Sequence, residues 1–75
     1  MSTQNDGPAH LMLTAKKIAV DAIEEMKEDS GVVFAAVYAS GLMMGSVEWL
    51  KKHGKKDQKD KMISLLHLMS RELAS

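Results

Sequence analysis

Three histidines are the residues of this sequence best suited to proton transfer or metal binding near neutral pH. His53 and Asp57 stand four residues apart, a spacing that could place two metal ligands on one helix face. Gly54 and the surrounding lysines argue against an ordered cation site there, and His10 and His67 fall at a helix start and on a polar helix face. The chain has no cysteine nucleophile and no phosphate-binding glycine loop. We therefore expect no catalysis, no metal and no cofactor.

Six lysines crowd the stretch between residues 51 and 61, which we term the lysine cluster. Ammonium groups at this density can displace counterions from phosphates. Asp57 and Asp60 interrupt the cluster and no aromatic residue alternates with it, so a solvated turn is favoured over a nucleic-acid contact. The candidate contacts for an acidic partner or a phosphate are Lys51, Lys52, Lys55, Lys56, Lys59 and Lys61.

The charge of the chain is zero overall but unevenly distributed. Residues 1–31 hold three lysines and six acids, a net −3, whereas residues 32–75 hold seven basic residues and four acids, a net +3. Four of the six acids in residues 1–31 lie close together in the sequence and form what we term the acidic cluster: Glu24, Glu25, Glu28 and Asp29. This dipolar pattern favours antiparallel self-contact as much as it favours an outside partner.

Two glycines, Gly41 and Gly45, have the GxxxG spacing by which two helices can approach backbone to backbone. Each costs about 1 kcal/mol relative to alanine inside a helix, so a close neighbour is expected. That neighbour is either another helix of the same chain or a second copy of the protein. If it is a second copy, the candidate residues of the self-association seam are Phe34, Tyr38, Gly41, Met44, Gly45 and Glu48.

The elements that would position these residues are three helices joined by short turns. Apolar residues recur at steps of three and four over about 8–29, 32–53 and 57–74, which is the helical period. We expect residues 1–7 to be a flexible tail, residues 8–75 to be one domain, and Asp57 to cap the third helix. A break at Ser40-Gly41, with a strand over residues 32–38, is the alternative for the central segment.

The central segment is apolar on all sides of a helical wheel, so its helix should be buried nearly all round. A chain of 75 residues buries only roughly 60% of its surface on folding, and this one lacks cysteine for disulfides. The predicted fold is therefore an all-α three-helix unit, a helical hairpin plus a third helix, completed by homodimerisation through the central helix.

A membrane-associated helical hairpin is a third possibility for this segment. Residues 32–47 carry no charge, and Trp49 followed by two lysines resembles an interfacial anchor. Sixteen residues rise about 24 Å, however, which is short of the ~30 Å hydrocarbon core. We therefore favour an aqueous setting.

The function that these features favour is protein–protein interaction by a small non-enzymatic regulator, adaptor or inhibitor, of the accessory kind encoded by viruses and mobile elements. The N-terminal residues have neither the basic nor the apolar region of a secretory signal, so a cytoplasmic location is expected. The first alternative is a nucleic-acid-associated dimer that joins two lysine clusters, and the second is the membrane-associated hairpin.

Overall fold

The computed structural model describes residues 7–75, and over that range the chain forms three α-helices and no strand. The helices are α1 (Pro8–Ser30), α2 (Val32–His53) and α3 (Lys56–Ala74). The predicted all-α class and the number of helices are thus confirmed. Helix α2 has the expected bounds, α1 ends one residue later than expected and α3 begins one residue earlier. Of the predicted tail, residues 1–6 lie outside the described residues.

Glycine and proline set the limits of α1. The backbone N–H of Leu11 donates to the Gly7 carbonyl at 3.1 Å, and Pro8 occupies the first helical position, where its missing N–H is harmless. At the other end the N–H of Gly31 donates to the Lys27 carbonyl at 2.8 Å. Gly31 has a φ of +95°, a backbone conformation that strongly favours glycine, and α2 begins at the next residue.

Helix α3 begins after Lys55, so the prediction that Asp57 caps it is wrong. The backbone N–H of Lys55 donates to Oε1 of Gln58 at 2.8 Å, and the N–H of Lys59 donates to the Lys55 carbonyl at 2.9 Å. The Gln58 side chain therefore satisfies the donor that precedes the helix, and Asp57 lies inside the first turn.

Helix α2 is continuous through Ser40 and Gly41, so the alternative of a strand followed by a break is wrong. The hydroxyl of Ser40 donates a hydrogen bond to the Ala36 carbonyl, one turn back, at 3.0 Å, so the hydroxyl is satisfied by the backbone of the same helix. The strand propensity of the Val, Phe and Tyr residues does not decide the local structure, since one continuous helix runs through them and past both glycines.

The chain divides into two compact units, Met1–Leu42 and Met43–Ser75, and α2 contributes to each. In the first unit the residues that lose most exposure have helical spacing in α1 and in the first part of α2: Ala19, Ala22, Ile23, Met26, Ala35 and Ala39. In the second unit they come from the last part of α2 and from α3: Val47, Leu50, Met62 and Leu66. Each unit thus has a small apolar face on either helix, and the only buried hydrophobic residue among residues 7–75 is Ala35, which is 5% exposed.

Candidate functional site

One side of α2 is covered by the rest of the chain. If Gly41 is placed at 0° and each residue turns the helix by about 100°, then Ala35, Ala39, Leu50 and Val47 lie at about 120°, 160°, 180° and 240°. These are the α2 residues that are buried or half-buried in the structure. The covered residues therefore fall within an arc of roughly 120° centred opposite the glycines, an arc that also holds the exposed Val32 and Met43.

The opposite side of α2 is open, and we term it the association face. Within about 40° of its centre line lie Phe34, Tyr38, Gly41, Gly45, Glu48 and Lys52. The ring of Phe34 is 63% exposed and that of Tyr38 is 36% exposed. Met44, predicted as a further seam residue, is highly exposed at the edge of this face. The structure thus brings five of the six predicted seam residues onto one exposed strip of a single helix.

The glycines of the association face have no close neighbour in the described part of the chain. A Cβ atom built on Gly41 or on Gly45 would meet nothing within 4 Å. Within the described residues, therefore, no contact at either Cβ position accounts for the GxxxG spacing. The glycines leave a shallow strip of exposed backbone between Tyr38 and Glu48.

The C-terminal end of α2 carries polar and aromatic groups. Nζ of Lys52 lies 3.8 Å from Oε2 of Glu48, an exposed ion pair one turn apart. The rings of Trp49 and His53 are also one turn apart, with centroids separated by 5.0 Å and planes inclined by 37°. This ring pair was not predicted, although the spacing of four residues on a helix could have indicated it.

The predicted lysine contacts fall into two groups. Lys56 pairs with Oδ2 of Asp60 at 3.0 Å, and Lys52 pairs with Glu48 as described. Within residues 7–75 the other four form no ion pair: Lys51, Lys55, Lys59 and Lys61. Lys51 and Lys59 also border an apolar hollow of the second unit, lined by Val47, Leu50, Met62, Ile63 and Leu66.

The acidic cluster is only partly neutralised. Nζ of Lys27 lies 2.6 Å from Oε2 of Glu24, and this hydrogen bond, with the negative charge of Glu24, raises the pKa of Lys27. In the described part of the chain, Glu25 and Asp29 have no ion-pair partner. Carboxylates remain available at the end of α1, just before α2 begins.

The histidines do not form a metal site in the described part of the chain. Among the described residues, no group of three or more His, Asp or Glu side chains could hold a metal ion. The ring of His53 lies against Trp49.

Helix α2 is long and apolar enough to cross a membrane by length and composition. It has 22 residues, a mean hydropathy of 1.4 over the best window, and only 6% of that window is buried within the chain. Its rise is about 33 Å, which matches the ~30 Å hydrocarbon core that the sixteen uncharged residues alone do not reach.

These features define a small all-α protein of three helices whose central helix is covered on one side and open on the other. Comparison with known proteins adds no relative: no protein-family model matches the sequence, and no match is found among curated proteins or among solved structures.

Proposed function

We propose that this chain is a non-enzymatic interaction protein that assembles as a homodimer through the association face of α2. The observation that carries this proposal is the two-sided environment of α2. Its covered side lies about 160° from an exposed strip that combines two aromatic rings with two glycines. A helix face of this composition is suited to close contact with another helix.

The glycines strengthen the proposal because nothing within the described chain explains them. Two glycines in a helix interior together cost about 2 kcal/mol relative to alanine. With open space at both Cβ positions, no intramolecular contact offsets that cost. Backbone-to-backbone approach of a second α2 would offset it through dispersion contacts and the covering of Phe34 and Tyr38.

The test is the Gly45→Leu variant, measured by light scattering coupled to size exclusion and by circular dichroism. A Cβ at residue 45 meets nothing within 4 Å among the described residues and leucine favours helix, so the helix content should be retained or rise. On a seam between two chains its side chain would hold the backbones apart. We expect a dimer for the parent protein and a monomer for the variant.

The matched control is Ser40→Leu, which adds the same side chain on an exposed residue about 120° from the centre of the association face and outside the covered arc. This variant should keep the mass of the parent protein. A Gly45→Leu variant that retains both its helix content and the parent mass would contradict the proposed seam.

The wider role we propose is that of a cytoplasmic regulator, adaptor or inhibitor of another protein. The seam would occupy one face of α2, which leaves the exposed lysines of α3, Lys59 and Lys61, for a charged partner surface. Electrostatic complementarity of this kind sets specificity and association rate more than affinity.

The second candidate function is membrane attachment, which the length and exposure of α2 favour. The Met43→Lys variant distinguishes membrane attachment from dimerisation in water. Residue 43 lies mid-helix and away from the association face, and a lysine at the centre of a spanning helix costs about 3 kcal/mol. If α2 spans a bilayer, the parent protein should float with liposomes in high salt and the variant should not. If α2 is a seam in water, neither should float and both should be dimers.

A further inference from the structure

We infer that the two copies of α2 pack antiparallel about a two-fold axis at the level of residue 43. This inference rests on the proposed function and adds the orientation of the partner. The association face is symmetric in its spacing: Gly41 and Gly45 are each two residues from position 43, Tyr38 and Glu48 are each five, and Phe34 and Lys52 are each nine.

In an antiparallel pair, these equal spacings place specific residues of the two copies opposite one another. Gly41 of one copy meets the partner's Gly45, and the two-fold axis repeats that contact, so the backbones can approach closely at the centre. The Tyr38 hydroxyl then lies opposite the partner's Glu48 and can donate a hydrogen bond to its carboxylate. The Phe34 ring lies opposite the partner's Lys52, an arrangement suited to a cation–π contact.

A parallel pair would place like groups side by side. Glu48 would face the partner's Glu48, and Lys52 would face the partner's Lys52, at the separation of two packed helices. In the antiparallel pair the two copies of Glu48 are offset by ten residues, or about 15 Å, and the two copies of Lys52 by eighteen, or about 27 Å. Charge repulsion therefore disfavours the parallel orientation.

The charged clusters that flank α2 favour the same orientation. The acidic cluster ends three residues before α2 begins, and the lysine cluster starts within its last turn. Antiparallel packing brings the beginning of one α2 beside the end of the other. Glu25 and Asp29, which have no ion pair among the described residues, would then lie near the partner's lysine cluster, where Lys51 and Lys55 likewise have none.

The absence of cysteine from the sequence makes the orientation directly measurable. Lys52→Cys introduces a single thiol at the end of the association face and leaves the glycines and both rings in place. A spin label on this thiol reports the distance between the two copies by pulsed dipolar spectroscopy. We expect labels separated by about 27 Å or more in the antiparallel dimer.

A second measurement uses Tyr38→Cys and Glu48→Cys, alone and in an equimolar mixture, with a bismaleimide shorter than 15 Å, which is about the axial offset. We expect the mixture to cross-link between unlike chains and neither variant to cross-link alone. Labels on Lys52→Cys much closer than 27 Å, with each thiol variant cross-linking to itself, would overturn the antiparallel orientation and leave the dimer standing. A monomeric mass with no dipolar coupling would overturn both the dimer and its orientation.

Discussion

Replacing Phe34 with alanine should weaken the proposed dimer without unfolding the chain. The ring is 63% exposed in the single chain, so its removal leaves the small apolar faces of the two units intact. Alanine also favours helix more than phenylalanine does. The effect of Phe34→Ala should therefore fall on association and not on helix content.

The magnitude follows from the exposed area of the ring. An aromatic side chain can bury about 200 Å², so the exposed 63% of Phe34 offers roughly 125 Å² to a partner. At ~25 cal/mol per Å² this area corresponds to about 3 kcal/mol for one ring and about 6 for the two rings of a dimer. If a partner covers half of that area, the loss is about 3 kcal/mol, or about 100-fold in the dissociation constant.

Sedimentation equilibrium over a range of protein concentrations gives the dissociation constants of the parent protein and the variant. The matched control is Val33→Ala, since Val33 is 74% exposed but turned about 100° from Phe34. The control should change the dissociation constant less than about threefold, the equivalent of ~0.7 kcal/mol. Equal effects of the two substitutions would refute the assignment of Phe34 to the seam.

Three further predictions concern the second unit. Gly54→Ala should destabilise the turn before α3 by about 1–3 kcal/mol in urea unfolding, because its Cβ would stand 2.7 Å from the Leu50 carbonyl oxygen; an unchanged midpoint would contradict the tight packing there. His53→Ala should change the fluorescence of Trp49 at constant pH, because it removes a ring whose centroid lies 5.0 Å from that of the indole; an unchanged emission spectrum would contradict the ring pair. If the four lysines without ion pairs contact phosphates, duplex DNA binding should weaken about 100-fold between 50 and 200 mM salt in a fluorescence anisotropy titration; binding that resists salt would rule out that mode.

The sequence predicted the helices because their signals are local. Apolar residues at steps of three and four, with Gly7-Pro8 and Gly31 at the ends of α1, act within a few residues of each bound. The start of α3 was predicted wrongly because aspartate is a common capping residue and Asp57 stands near the start of the helix. The contact that precedes the helix is made instead by Gln58, whose side chain accepts a hydrogen bond from the backbone N–H of Lys55.

Packing was less predictable than helix formation. Leu11 and Ile18 belong to the apolar stripe of α1, yet they are 68% and 64% exposed, while Ile23 and Met26 on the same stripe are half-buried. A periodic pattern shows which face of a helix can pack but not how much of it finds a neighbour. The sequence likewise does not show what surrounds Gly41 and Gly45, since the GxxxG spacing is the same whether the neighbouring helix belongs to the same chain or to a second copy.

Ala35 is the single buried hydrophobic residue among residues 7–75, so the interior of the described chain is very small. A chain with so small an interior would gain further stability if a second copy covers α2 as proposed, so its unfolding would be linked to dissociation of the dimer. The melting temperature should then rise with protein concentration. Under the proposed dimer, a rise in the abundance of the protein would therefore raise its resistance to heat, and dilution would lower it.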